Sequence, residues 1–310
     1  MELRLFEDDE DVALGDGLAL FAANLGDLAR VLGLDRHLHL HRLEDDDGVA
    51  LVDLVADLDL DLPDCAGDVR FYVSHAAAPY LPVTPEPARV VIVAAQNEVD
   101  RIGAALNALA EAFPGARLMV ADDASTDGTQ QEAMRHGAWL ISRRRPHGKG
   151  GNVTAAAEAA AGEFADETTV LLCDADLGES AGRLLPLVEA IEEGECELAL
   201  ARFAEPDGGG FGFTVGYARR TVERLTGSSL HAPLSGQRAM RISTLRDLIP
   251  FAHGWGLETG MTIDALRAGL RVKEIELPLS HRATGRTPAG FLHRARQLTD
   301  IRRAVRSRSG

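Results

Sequence analysis

Two carboxylates close the short apolar run Val170-Leu171-Leu172-Cys173-Asp174-Ala175-Asp176, and their type and spacing could do chemistry. In an extended segment alternate side chains share a side, so Asp174 and Asp176 can converge on one cation. Hard ions such as Mg²⁺ take oxygen ligands, usually one or two carboxylates together with the phosphates of a substrate. The pair therefore points to a bound nucleoside diphosphate. The same spacing recurs at Asp57-Leu58-Asp59-Leu60-Asp61, where it reads as the wet face of a strand, so context has to decide.

That context is the elements that must position the pair. From Arg89 onward apolar patterning alternates between strand and helix: strands at 90–95, 118–121, 138–142 and 170–173, helices near 102–112, 129–136 and 152–161. Such alternation implies a mostly parallel sheet with helices on both faces, and ligands of such sheets bind beyond the carboxyl ends of the strands. Polar clusters follow each of these strands: Gln96-Asn97-Glu98, then Asp122-Asp123-Ala124-Ser125-Thr126-Asp127-Gly128-Thr129, then Arg143 through Gly151, then Asp174 and Asp176. Asp122, at a strand end, is a candidate acceptor for the N–H of a uracil or guanine ring, whereas Ser125, Thr126 and Asp127 could cap the next helix. Gly148-Lys149-Gly150-Gly151 offers backbone N–H groups ahead of a helix and one ammonium, a cradle suited to a diphosphate. It lacks the spacing of a P-loop, and no Gly-x-Gly-x-x-Gly follows the first strand, which disfavours an ATPase and a nicotinamide dehydrogenase. No Ser/His/Asp or Cys/His arrangement at recognisable spacing indicates nucleophilic catalysis.

The charge is unevenly placed. The net −16 is concentrated in residues 1–85, with 19 Asp and Glu against 5 Arg, while residues 282–310 carry eight Arg and one Asp. Overall acidity excludes nucleic acid as the main partner. Cys65, Cys173 and Cys196 lack metal-ligand spacing and read as thiols in a reducing compartment. No apolar run is long enough to span a bilayer and the acidic start is unlike a secretory leader, so a cytoplasmic protein is expected, with a peripheral membrane association as the variant. Pro79, Pro82, Pro85 and Pro87 mark a boundary. The expected organisation is an acidic α+β extension at 1–85, a main domain at 86–285 and a basic helical tail at 286–310. The extension should hold a helix at 14–34 and strands at 37–41 and 49–62; His37, His39 and His41 would share a strand face, solvated or metal-binding. The tail should form an amphipathic helix at 288–306 with Phe291, Leu292, Leu298, Ile301 and Val305 on its apolar side. It could dock on the acidic extension, form a homodimer, or meet acidic lipid headgroups.

In their order, Asn97-Glu98, Asp122-Asp123-x-Ser-Thr-Asp-Gly-Thr, Gly-Lys-Gly and Asp174-x-Asp176 resemble the motifs of family 2-like glycosyltransferases of the GT-A fold, a Rossmann-like α/β architecture, over roughly residues 88–285. The resemblance implies a nucleotide-sugar, a UDP-sugar foremost, bound with Mg²⁺ or Mn²⁺. Asp122 would contact the base, and Asp174 and Asp176 the metal and the ribose or diphosphate. Ala95, Asn97, Glu98 and Lys149 would line the nucleotide-sugar site. One departure is Ala94 where a Pro is usual. In the second half, Pro233-Leu234-Ser235-Gly236-Gln237-Arg238-Ala239, Gly254-Trp255-Gly256-Leu257-Glu258 and Ser280-His281-Arg282 are similar to segments of glucosyl-3-phosphoglycerate synthase-like enzymes. That likeness adds His281 as a metal ligand, Gly236, Gln237 and Arg282 beside the nucleotide-sugar, and Glu258 near sugar or acceptor. Gln237-Arg238 replaces a Glu-Tyr, which implies a different acceptor.

Read from the residues alone, Glu258 opens a helix and could merely favour its N-terminus, and His281 follows a strand as ligand or as a structural side chain. Arg202 could meet a phosphate or lie at the surface, and Gly208-Gly209-Gly210-Phe211-Gly212 reads as a loop able to close over a ligand. The expected reaction is transfer of a sugar from a nucleoside-diphosphate sugar to a small-molecule acceptor, phosphoglycerate-like or a natural product. A lipid-phosphate acceptor such as polyprenyl phosphate is the alternative. Inversion would need a carboxylate base, for which Glu258 and Asp264 are the candidates; retention would not. The rivals of another class are a sugar nucleotidyltransferase, which lacks its Gly-rich basic loop after the first strand here, and a catalytically silent nucleotide-sugar binding module.

Overall fold

The computed structural model describes residues 88–143, 145–204, 213–280 and 288–309 (the backbone alone at 213 and 288–295), together with the backbone of three strands at 38–44, 50–56 and 69–73. The strands are β1 Leu38–Glu44, β2 Ala50–Ala56, β3 Val69–Val73, β4 Arg89–Ala95, β5 Arg117–Asp122, β6 Trp139–Arg143, β7 Thr169–Asp174, β8 Leu198–Phe203, β9 Arg238–Arg241 and β10 Val272–Leu277. They form one sheet in the order β1-β2-β3-β6-β5-β4-β7-β9-β8-β10. Strands β6, β5, β4 and β7 run parallel, and β10 runs parallel to β8. Strand β9 is antiparallel to both neighbours, and β1, β2 and β3 add an antiparallel meander beyond β6. This mostly parallel sheet with helices on both faces is the architecture the GT-A resemblance implied. The 14–34 helix, the His37-His39-His41 side chains, Cys65 and the 208–212 loop lie outside the described residues.

Strand β4 shows why the sheet is sandwiched. Val91 and Val93 face one core with Ile102, Leu106 and Leu109 of α1 (Val99–Ala112), and Val90 and Ile92 face the other with Val153, Ala156 and Ala160 of α3 (Gly148–Glu163). All four β4 side chains are buried, each contributing about 1.5–3 kcal/mol of burial. Helix α2 (Thr129–Arg135) bridges β5 and β6, and α3 buries a run of alanines, so its axis lies close to the sheet. After β7 the chain enters a 3₁₀ segment, Ala175–Leu184, broken at Gly178 (φ 52°), and then α4 (Leu185–Glu192). The remaining helices are α5 (Phe213–Thr226), α6 (Ile242–Leu248), α7 (Leu257–Arg267) and α8 (Pro288–Arg306). Ile301 and Val305 of α8 are buried against Val222 of α5 and Ile263 of α7. The tail, for which docking on the acidic extension, a homodimer or acidic lipid was expected, packs through these residues on the main domain. No helix among the described residues is long and apolar enough to cross a membrane.

Candidate active site

Strand register brings the polar clusters into one row. Ala94 stands opposite Asp174, Ala95 opposite Asp122, and Asp122 opposite Ser142. The chain runs from β4 outward through β5 to β6 and then returns to β7 on the other side, so a crevice opens between the ends of β4 and β7. Asp174 sits at that topological switch point.

Around Asp174 the structure gathers charge. Its Oδ1 lies 2.6 Å from Lys149 Nζ, and the same ammonium lies 2.8 Å from Glu258 Oε1. Gln237 Nε2 donates to Asp174 Oδ2 at 2.9 Å, while Gln237 Oε1 accepts from Ser235 Oγ at 3.2 Å. Glu258 is 3% exposed and the Lys149 side chain 14%. Burial alone would pull the Lys149 ammonium down, but Asp174 and Glu258 outweigh it and hold it above its ordinary range. The Trp255 ring completes the wall, 5.7 Å from Nζ. Gly236 has no room for a side chain: an added Cβ would land on Asp174 Oδ2 and 2.7 Å from Lys149 Nζ. Lys149, Asp174, Gly236, Gln237 and Glu258 thus meet from α3, β7, the loop before β9 and the first turn of α7. A small cavity beside them is lined by Ile92, Ala94, Val153, Leu172, Cys173 and Leu257. Burial first, then the Asp174 charge, push the Cys173 thiol up, which keeps it protonated and inert.

Other expected residues have different positions. Asp176 is not on the extended strand: β7 ends at Asp174, and Asp176 lies in the first turn of the 3₁₀ segment, its carbonyl accepting from Arg101 Nη1 at 2.7 Å. Strand alternation therefore does not aim the pair; the strand-to-helix turn does. Asp122 is 0% exposed, and its Oδ2 accepts from Ser125 N (3.0 Å), Gln130 Nε2 (2.6 Å) and Ser142 Oγ (3.2 Å). Its Oδ1 is buried without a partner. Ser125 and Thr126 do not cap α2; they bond Asn97, whose Oδ1 accepts from Thr126 N at 2.9 Å and whose N donates to Ser125 Oγ at 2.8 Å. Asp127 does serve the helix start, accepting from Thr129 N and also from Val99 N. Glu98 N donates to Thr129 Oγ1, so Asn97 and Glu98 are knitted to the β5–α2 loop beside Ala95.

Three further regions singled out in the sequence have defined partners. Gly148-Lys149-Gly150-Gly151 is not a loop ahead of a helix but the first turn of α3 itself, and the N–H of Gly148 is taken by Asp123 Oδ2, that of His147 by Asp123 Oδ1. Gly150 is small because Ala252 O occupies the place of its Cβ, a packing reason and not an anion-binding one. Asp264 accepts a forked bond from Arg308 of the tail, at 2.7 Å to Oδ1 and 2.6 Å to Oδ2, whereas Glu258 is the carboxylate of this helix that meets Lys149. Arg202 pairs with Glu276 at the surface. His281 and Arg282 lie outside the described residues.

The sequence reading missed Arg238, Asp123 and Trp255 as structural partners of the site. Arg238 is 0% exposed, donating to Ser235 O, Thr262 Oγ1 and Pro233 O at 2.8–3.0 Å. Burial lowers it to about 10, against the pull of Glu258 and Asp174, so it remains a cation at neutral pH. Its position inside Pro-Leu-Ser-Gly-Gln-Arg, next to a residue already singled out, was the available signal.

The donor chemistry fits a divalent cation. Asp174 already carries a positive charge on Oδ1, the Lys149 ammonium, so the position accepts a cation. Among the described residues no group of three or more His, Cys, Asp or Glu stands ready to hold a metal. One or two carboxylates are what Mg²⁺ uses when substrate phosphates supply the rest.

The profile of Glycosyl transferase family 2 matches residues 90–253. Glucosyl-3-phosphoglycerate synthase of Mycolicibacterium paratuberculosis is 30% identical over 208 residues, 58% of this chain and 60% of that protein. Glycosyltransferase AglJ of Haloferax volcanii is 27% identical over 160 residues, 50% of this chain and 51% of that protein. The chain thus spans between half and two thirds of the length of these curated relatives. The crystal structure of glucosyl-3-phosphoglycerate synthase from Mycobacterium tuberculosis in complex with Mn²⁺, UDP and phosphoglyceric acid superposes with a TM-score of 0.59 at 27% identity, covering 72% of this chain and 78% of that one.

Proposed function

The chain belongs to glycosyl transferase family 2, and on that premise we propose that it moves a hexose from a UDP-sugar to a small, anionic acceptor of the phosphoglycerate kind. The observation that carries this reading is the meeting of Lys149, Asp174, Gln237 and Glu258 around Gly236 at the β4–β7 switch point. A similar solved structure, at 27% identity, holds Mn²⁺, UDP and phosphoglyceric acid together, which favours that donor and acceptor class. Residues 86–285 would carry the transfer, with 1–85 an extension and 286–310 a tail. With Ile301 and Val305 of the tail already buried, a small-molecule acceptor is favoured over a lipid phosphate, and a cytoplasmic enzyme over a membrane-bound one.

Asp174 and Asp176 would hold Mg²⁺ or Mn²⁺, which when bound supplies positive charge against the leaving diphosphate. Lys149 adds an ammonium at the same place; leaving Asp174 for the diphosphate moves one positive charge onto the donor without unburying it. Asp122 Oδ1 would accept the base N–H, and Asn97 and Glu98, fixed by the β5–α2 loop, would border the nucleotide with Ala95. By the family resemblance, His281 would be a further metal ligand and Arg282 would add positive charge beside the nucleotide-sugar. Glu258, 2.8 Å from Lys149 Nζ, is the carboxylate available to accept the acceptor's proton if configuration inverts.

The test is thermal stability with UDP, GDP and dTDP, with and without Mn²⁺, on wild type and Asp176→Asn. A ligand at one hundred times its Kd stabilises by about 2.7 kcal/mol. A Mn²⁺-dependent shift with UDP, absent in Asp176→Asn together with turnover, is expected. Equal shifts in both proteins would overturn the assignment of the metal site.

A further inference from the structure

The segment that carries Trp255 and Glu258 is held from two sides. On one side α3 presses against it: the missing Cβ of Gly150 leaves room for Ala252 O, and a Cβ on Gly148 would stand 3.2 Å from Gly254 Cα. On the other side lies the C-terminal helix. Asp300 Oδ2 accepts from Trp255 N at 3.3 Å. Gly254, at φ 58°, adopts a conformation that favours glycine, and an added Cβ there would fall on Asp300 Oδ2. A Cβ on Gly256 would stand 2.8 Å from Ala304 Cβ and 2.9 Å from Asp300 O. Eight residues beyond Asp300, Arg308 forks onto Asp264 of α7, the helix whose first turn bears Glu258.

The tail is thus packed backbone-close on the turn whose other face meets Lys149. We propose that Asp300 is a positioning residue for the transfer reaction: by fixing the Trp255 amide from the C-terminal helix it sets the Trp255 ring and the Glu258 carboxylate against Lys149, with the Arg308–Asp264 fork as the second attachment. The tail is then a back wall of the acceptor side of the site. This rests on the reading that the Lys149–Glu258 cluster is where transfer occurs.

The variants are Asp300→Ala, which removes the acceptor, Asp300→Asn, whose amide oxygen can still accept, and Arg308→Met. Amide hydrogen exchange is followed at 253–258 and across β4 and β7, with UDP and Mn²⁺ affinity and the turnover of UDP-glucose with phosphoglycerate. In Asp300→Ala the Trp255 amide should exchange about tenfold faster, the change expected for one charge-assisted hydrogen bond, with the sheet amides unmoved. The kcat should fall by a similar factor at unchanged UDP affinity, and Asp300→Asn should restore most of both. Arg308→Met should loosen the same amides to a smaller extent. Unchanged exchange at Trp255 in Asp300→Ala, or loosening spread evenly through the sheet, would overturn the proposal. Exchange is read without turnover, so a wild-type protein inert toward UDP-glucose and phosphoglycerate would count against the donor and acceptor reading and leave the positioning to be judged by the amides.

Discussion

Asp122 and Asp174 flank the same strand, opposite Ala95 and Ala94 of β4, yet they are stabilised by opposite means. Asp122 is surrounded by neutral donors: a backbone N–H, a carboxamide and a hydroxyl. Asp174 is held by an ammonium and a carboxamide, with a second carboxylate and the buried Arg238 guanidinium close by. A carboxylate set among neutral dipoles is a fixed fitting. One balanced by a charged side chain can exchange that partner for another cation, as the proposed site would require. The difference separates a wall of the site from its working end.

Removing the balancing charge should produce the largest effect. Lys149→Met leaves Asp174 and Glu258 facing each other without their shared cation, and breaking a buried pair in this way costs about 3–5 kcal/mol. The sign with pH follows. In wild type Lys149 is held above its ordinary value, so its contribution is full below about pH 10, near the ordinary lysine value, and is lost only as pH rises through the raised one. In the variant the two carboxylates are left to share a buried site, and each gains from protonation, so stability should recover as pH falls. Urea midpoints of both proteins between pH 5 and 9 measure this. A variant whose deficit is flat with pH would show that the two carboxylates are not electrostatically coupled.

Gly236→Ala tests the same cluster sterically. The new Cβ would press on Asp174 Oδ2 and Lys149 Nζ, and overpacking of this kind costs about 1–3 kcal/mol. Turnover should fall more steeply than the melting temperature, because the displaced atoms are those of the ion pair.

Asp122→Asn should do least. The amide oxygen can keep the contacts of Oδ2 with Ser125 N, Gln130 and Ser142, and the new NH₂ at the place of Oδ1 meets no partner, so a loss of about 1–2 kcal/mol is expected. The expected signature is weaker UDP binding with the Mn²⁺ dependence unchanged, read by calorimetry. Mn²⁺ dependence altered as strongly as in Asp176→Asn would erase the contrast between the two carboxylates.

The parallel strands and the polar clusters after them were legible because burial on both faces writes continuous apolar runs, as at 90–95 and 170–173, and because strand ends are where such sheets display polar groups. Local patterning also placed Lys149 and Asp174 among the candidates, and the family resemblance added Gln237 and Glu258. It did not show that Gly148–Gly151 begins a helix, since glycine has low helical propensity and the helix is held there by Asp123 and by the backbone of Ala252. Nor could it separate Glu258 from Asp264, two carboxylates on one helix. Which of them meets Lys149 and which meets Arg308 depends on chain 44 or more residues away, and contacts at that separation leave no periodic trace in sequence. The sequence by itself determined the kind of sheet and the chemical character of its ends. Tertiary structure alone decided the pairing of charges, because a carboxylate's partner is chosen by distance and burial, and both arise only when the helices and the tail close on the sheet.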